Sequence, residues 1–109
     1  MTPLTIALDY DQTYTADCEL WRCFISTAIK FGHKIICVSA RENTPGNRYE
    51  LTQALPIGIP VLLCYGQSKR EYAIAAGYNV DIWIDDHPET VSQAVLYMDV
   101  ETVWPTENP

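Results

Sequence analysis

Residues 4–17 read LTIALDYDQTYTAD. The apolar run Leu4–Leu8 ends in two acids one residue apart, Asp9 and Asp11, with Thr13 next in step. Leu4–Leu8 reads as a strand, bounded by Pro3 on one side and the acids on the other. Burying one carboxylate is costly, and crowding two adds like-charge repulsion. A chain that sets such acids at a strand end has a cation or a reaction to put there.

Outward from this stretch, strand and helix patterns alternate. Trp21, Phe24, Ile25, Ala28 and Ile29 follow the i, i+3, i+4, i+7 spacing of one helix face. Asp17 suits its N-cap, Glu19 its first turn, and Lys30 with Gly32 its end. KIICVSA (34–40) is a second strand, and its near-continuous apolar character points to a parallel sheet covered on both faces. RENTPGN (41–47) reads as a loop from its Pro-Gly and Asn content, followed by a short helix with Leu51, Ala54 and Leu55 as its apolar stripe. VLLCY (61–65) is a third strand. SKRE (68–71) has capping-box spacing, so Ser68 starts a helix running to Gly77. VDIWI (80–84) is a fourth strand, and HPETVSQAVLYM (87–98) a helix with Val91, Ala94, Val95 and Met98 on one face. TVW (102–104) adds a short fifth strand, and residues 105–109 form a loose tail. Repeated βαβ crossovers predict a Rossmann-like three-layer α/β/α sandwich with a parallel sheet of four to five strands.

Composition bounds what this fold does. A length of 109 residues suits one domain spanning 1–109, and 48% apolar content builds a core without a disulfide or metal staple. A net charge of −7 argues against an extended nucleic-acid surface. Cys18, Cys23, Cys37 and Cys64 form no C-x-x-C pair, and Cys37 and Cys64 fall inside apolar runs, so reduced core thiols are expected; disulfides in a secreted protein are the alternative. No signal-peptide pattern and no run of about 20 apolar residues is present, which points to a cytoplasmic protein with no membrane role.

In parallel α/β sheets, ligands bind at the carboxyl ends of the strands. There the sequence puts Asp9 and Asp11, then Ser39 and Arg41, then Ser68 and Lys69, then Asp85 and Asp86. For each taken singly, a bland reading competes: Ser39 capping a turn, Lys69 solvated, Arg41 a surface cation paired with Glu42. His87 reads as a helix-start residue, and Trp21, Trp83 and the tyrosines as core or rim. YGQSK (65–69) lacks the frame of a Walker A loop. Joint placement is what singles the set out.

That set resembles the haloacid dehalogenase (HAD) superfamily of aspartate-nucleophile phosphohydrolases. The family's D-x-D-x-T motif matches IALDYDQTY at Asp9, Asp11 and Thr13. Its strand ending in Ser or Thr matches IICVSAR at Ser39, its lone Lys matches Lys69, and its strand ending in paired acids matches IWIDD at Asp85 and Asp86. The match spans nearly the whole chain.

The resemblance implies a phosphatase acting through an aspartyl-phosphate. Asp9 is then the nucleophile and Asp11 the general acid and base. Ser39, Lys69 and Thr13 serve the phosphate or the loop around it; Arg41, a basic residue two places after Ser39, is a further candidate for the phosphate, beside its reading as a surface partner of Glu42. Asp9, Asp85 and Asp86, with the backbone carbonyl of Asp11, are expected to hold Mg²⁺, a hard cation suited to oxygen ligands. An acid at Asp11 favours phosphate chemistry over dehalogenation.

Family members commonly carry a cap domain, for which this chain has no room. The resemblance then implies a bulky phosphorylated substrate, such as a protein or nucleic-acid end, or a homo-oligomer whose neighbour acts as lid. Two readings compete. A catalytically silent HAD-fold binding or regulatory module keeps the residues without turnover. A response-regulator receiver domain also uses acids, a hydroxyl and a Lys, but there the phosphorylated Asp follows the acid pair in the chain, the reverse of the order here.

Overall fold

The apolar run at Ile35–Val38 sits at the heart of the molecule because every side chain in it is buried. In the computed structural model, which describes residues 2–94, this run lies in β2 (Lys34–Ser39). It is flanked by β1 (Thr5–Leu8) on one side and β3 (Val61–Leu63) on the other, while β4 (Ile82–Ile84) lies beyond β1. The order is β3-β2-β1-β4 and every pairing is parallel, with Leu8 opposite both Cys37 and Ile84. This is an α/β protein with a four-stranded parallel sheet among the described residues, and it fits a Rossmann-like fold.

Strand alternation divides the core in two. Ile6, Leu8, Ile35, Cys37 and Leu63 pack with Ile25 and Ala28 of α1 (Cys18–Lys30) and with Leu51 of α2 (Pro45–Ala54). Ala7, Ile36, Val38 and Leu62 pack with Cys64 and with Ala73 of α3 (Lys69–Ala75). Trp21 and Trp83 are partly buried, one against each cluster. No helix among the described residues is long and apolar enough to cross a membrane.

Helix starts follow the chemistry of their caps. Asp17 Oδ1 accepts from Leu20 N at 3.1 Å and Ser68 Oγ from Glu71 N at 3.1 Å, the two caps expected from sequence. The stretch RENTPGN is not wholly a loop. Thr44 caps α2 by accepting from Asn47 N at 3.1 Å, and Pro45 opens the helix. Proline suits that first position because its φ is already helical and its missing N–H would have had no partner there. Ile29, expected on the buried face of α1, is 49% exposed. It lines a cavity of about 580 Å³ at the amino edge of the sheet, with Leu4, Ile59 and Pro60.

The strands at the two edges are shorter than their apolar runs suggest. Cys64 and Tyr65 leave β3, and Val80 and Asp81 precede β4. The final described helix, α4 (Glu89–Ser92), stops where Gln93 turns extended, so Ala94 is not helical. Val95, Met98, the TVW strand and the tail at 105–109 lie outside the described residues. At the β3 margin of the described sheet, the Pro60 carbonyl accepts from Cys37 N, so the next carbonyl, Val61, points outward and accepts from Arg48 Nη1 at 3.1 Å.

All four cysteines are free; Cys37 and Cys64 are buried, Cys23 exposed and Cys18 intermediate. Burial pushes the Cys64 thiol up to about 11 and Cys37 higher still. Brief iodoacetamide treatment of the native protein at pH 8 should therefore modify Cys23 first and spare Cys37 and Cys64 until denaturant is added, as read by peptide mass spectrometry.

Candidate functional site

From β1 the chain steps outward to β2 and β3, then returns past β1 to β4. Strand order thus reverses between β1 and β4, and the carboxyl ends of those two strands flank the crevice where parallel sheets bind ligands. Asp9 directly follows β1, and its N–H donates to the Ile84 carbonyl at 3.0 Å, which sets it beside Asp85 at the end of β4.

The turn after β1 is tight and strained. Tyr14 N donates to the Asp9 carbonyl at 3.3 Å, Thr13 N and Thr15 N donate to the Tyr10 carbonyl, and Gln12 N donates to Thr15 Oγ1 at 2.9 Å. Gln12 takes a φ of 66°, the left-handed region that side chains disfavour. The result brings Thr13 back under Asp9. Its hydroxyl lies 3.1 Å from Asp9 Oδ2 and 3.1 Å from Asp86 Oδ1, and its oxygen accepts from Asp86 N at 3.2 Å. A hydroxyl has one hydrogen, so Thr13 donates to one of the two carboxylates at a time.

Lys69 reaches this group from the first turn of α3 and is 3% exposed. Its Nζ donates to Asp9 Oδ1 at 2.9 Å and to Asp85 Oδ2. Asp85 also accepts from His87 N at 2.9 Å; the Thr90 hydroxyl stands 3.4 Å from it and donates to the His87 carbonyl at 2.8 Å. His87 Nε2 stands 3.5 Å from Asp86. Burial pushes the Asp9 carboxyl well up from its ordinary value, resisted by Lys69 and aided by the charge of Asp85. Burial alone would lower Lys69, but the charges of Asp9 and Asp85 outweigh it and hold the ammonium above its ordinary value. Both directions have one source: a single cation faces more than one carboxylate in a place that water reaches poorly.

Oxygens of Asp9, Asp85 and Asp86 all lie within 4.8 Å of one another, so three carboxylates could hold a metal ion here. Hard oxygen donors at this spacing fit a small divalent cation. Asp11 is not one of the three. Its carboxylate is gripped by Arg41, from Nε at 2.9 Å and Nη2 at 2.8 Å. Arg41 also bonds Glu50 at 2.8 Å and Asn47 at 3.2 Å, and its guanidinium lies 5.4 Å from the Tyr10 ring centre. Glu42, the expected surface partner, has no part in this pairing. Ser39, buried at the end of β2, accepts from Arg41 N at 3.2 Å.

The sequence-selected residues thus fall into two bonded groups, Asp9–Thr13–Lys69–Asp85–Asp86 and Asp11–Ser39–Arg41. Thr90, Asn47 and Glu50 join them without having been singled out. Thr90 had only its place at the start of the helix after the acid pair to mark it, and Glu50 only its position inside a helix.

Lys69→Met leaves Asp9 and Asp85 facing each other without a cation, and should lower unfolding free energy by about 3–5 kcal/mol in urea titrations at pH 7. A loss under about 1 kcal/mol contradicts this account of the site. Asp9 binds its proton more tightly folded than unfolded. Its favourable contribution is therefore complete below about 3.8 and is lost as pH climbs above that value. Asp9→Asn should in consequence raise the melting temperature of the metal-free protein at pH 8 and give no such gain at pH 4. Comparison of the chain with protein-family models, with curated proteins and with solved structures found no match in any of the three.

Proposed function

We propose that the protein is a Mg²⁺-dependent phosphomonoester phosphatase, a three-layer, capless member of the haloacid dehalogenase superfamily. The observation that carries this reading is the meeting of Asp9, Asp85 and Asp86 with the Lys69 ammonium at the point where strand order reverses. Support also comes from chain length: α1 alone separates the turn after β1 from β2, and only residues 64–68 lie between β3 and α3, which leaves no space for an inserted lid.

In this reading a carboxylate oxygen of Asp9 attacks phosphorus in line, and the bond from phosphorus to the ester oxygen breaks. Asp11 delivers a proton to the departing oxygen. It then takes a proton from the water that attacks the aspartyl-phosphate, which frees inorganic phosphate and restores Asp9. Lys69 offsets the charge of Asp9 and of the transferring group, and the Ser39 hydroxyl donates to a phosphoryl oxygen. Thr13 holds Asp9 and Asp86 in mutual register. Asp9, Asp85 and Asp86 would hold Mg²⁺, which supplies charge neutralisation to the phosphoryl oxygens when bound. An uncovered rim suits a phosphate carried on a macromolecule, or a second copy of the chain as lid; exposed Leu20, Phe31 and Tyr49 are compatible with the latter. Four free thiols fit a reducing, cytoplasmic setting.

A silent binding or regulatory module is the second reading, favoured by the completeness of the ion pairing: Asp9, Asp11 and Asp85 each already hold a cationic partner. Phosphate release from a panel of phosphomonoesters, including phosphopeptides and end-phosphorylated oligonucleotides, separates the two. Release should require Mg²⁺, stop with chelator, and fall by at least about 10³-fold in Asp9→Asn. No release from any member of the panel would sink the enzyme in favour of the module.

A further inference from the structure

We infer that Arg41 is a positioning residue for Asp11 rather than a ligand of the substrate phosphate, and that Asn47 and Glu50 of α2 hold it in that role. The inference rests on the phosphatase reading, in which Asp11 handles the proton of the leaving oxygen. A count of donors carries it. A guanidinium has five N–H groups in a rigid fork. Nε and one hydrogen of Nη2 go to the two oxygens of Asp11, at 2.9 and 2.8 Å. Both hydrogens of Nη1 go to Asn47 Oδ1 and Glu50 Oε1, at 3.2 and 2.8 Å. One N–H of Nη2 is left. A phosphoryl group is recognised best by two parallel donors, and Arg41 could offer a second only by letting go of Asp11 or its helix anchors.

The surroundings oppose that release. The central carbon of the guanidinium lies over the buried Tyr10 ring, 5.4 Å from its centre, and the backbone N–H of Arg41 is tied to Ser39 Oγ. Arg41 is thereby fixed at its backbone, at its ring contact and at both ends of its fork. Asp11, on the strained turn beside Gln12, takes its orientation from a partner that β2 and α2 hold still. Arg41 takes two of the roughly four lone-pair sites of this carboxylate, so the proton that Asp11 passes on is taken up from water and held on a remaining one.

The two roles predict different kinetics. Protonation of the leaving oxygen matters for an alkyl phosphate such as glycerol phosphate and hardly at all for p-nitrophenyl phosphate, whose leaving group departs as a stable anion. Arg41→Met should lower kcat on the alkyl ester about 100-fold and on the nitrophenyl ester less than about 5-fold. KM and inhibition by inorganic phosphate should stay within about 2-fold of wild type. Arg41→Lys keeps the charge without the fork and should recover only part of the alkyl-ester loss. Equal losses on both esters, together with a rise of about 10-fold or more in KM and in the phosphate inhibition constant, would overturn the inference.

A measurement independent of turnover guards against a wrong phosphatase reading or a poorly folded variant. The Arg41 Nε–H signal in ¹H–¹⁵N spectra of the wild-type chain should be displaced by Asp11→Asn and left in place by inorganic phosphate with Mg²⁺. Failure of the wild type to hydrolyse any ester defeats the phosphatase reading; the clamp is then decided by this signal alone. A signal that ignores Asp11→Asn, or that moves with phosphate, overturns it.

Discussion

One buried ammonium governs this molecule. Lys69 Nζ lies between Asp9 and Asp85, the residues that end β1 and β4, and it comes from a helix that belongs to neither strand. Parallel neighbours bring their strand ends level, so acids at those ends must face each other. Attraction across a buried pair repays lost hydration only when the remaining oxygens also find donors. Here the Thr13 hydroxyl serves Asp9 and the His87 N–H serves Asp85, while the single hydrogen of Thr90 goes to the His87 carbonyl at 2.8 Å. No buried side-chain nitrogen or oxygen among the described residues lacks a partner. Strand ends, turn and helix start are therefore fixed together, and no one of them can shift without uncovering charge.

The rest of the charge is handled by a second centre with a different physical character. Asp11 lies one residue beyond Tyr10, yet the turn sends it toward a planar, half-shielded Arg41 rather than the compact Lys69. A point charge compensates several carboxylates at once, while a fork selects one and orients it. Two acids two residues apart thus acquire unlike environments, and their close spacing is tolerated because each has its own cation.

Much of the architecture was legible because it follows from local rules. The apolar continuity of Ile35–Val38 announced a strand covered on both faces, and Asp17 and Ser68 announced helix starts by their capping chemistry. Pro45 misled because the same residue that breaks helices also opens them, and only the Thr44 bond to Asn47 N decides which. The edge strands came out short because an apolar run also describes residues such as Cys64 that are buried after the ladder ends. In the site, strand-end position picked out the acids, Ser39 and Lys69. The bond between Arg41 and Asp11 spans 30 residues, and nothing local pairs them. Sequence offered Arg41 either a phosphate or neighbouring Glu42, whereas the helix carries Glu50 round to the guanidinium.

The outward carbonyl of Val61 is taken up by Arg48, on a strand only three residues long. A sheet grows by recruiting a new chain along an uncovered rim, and this rim offers few groups to pair with and a positive charge at the first of them. Strand addition along the β3 side is discouraged by the native geometry itself. Self-association of the folded chain is thereby steered away from that margin and toward its side-chain surfaces.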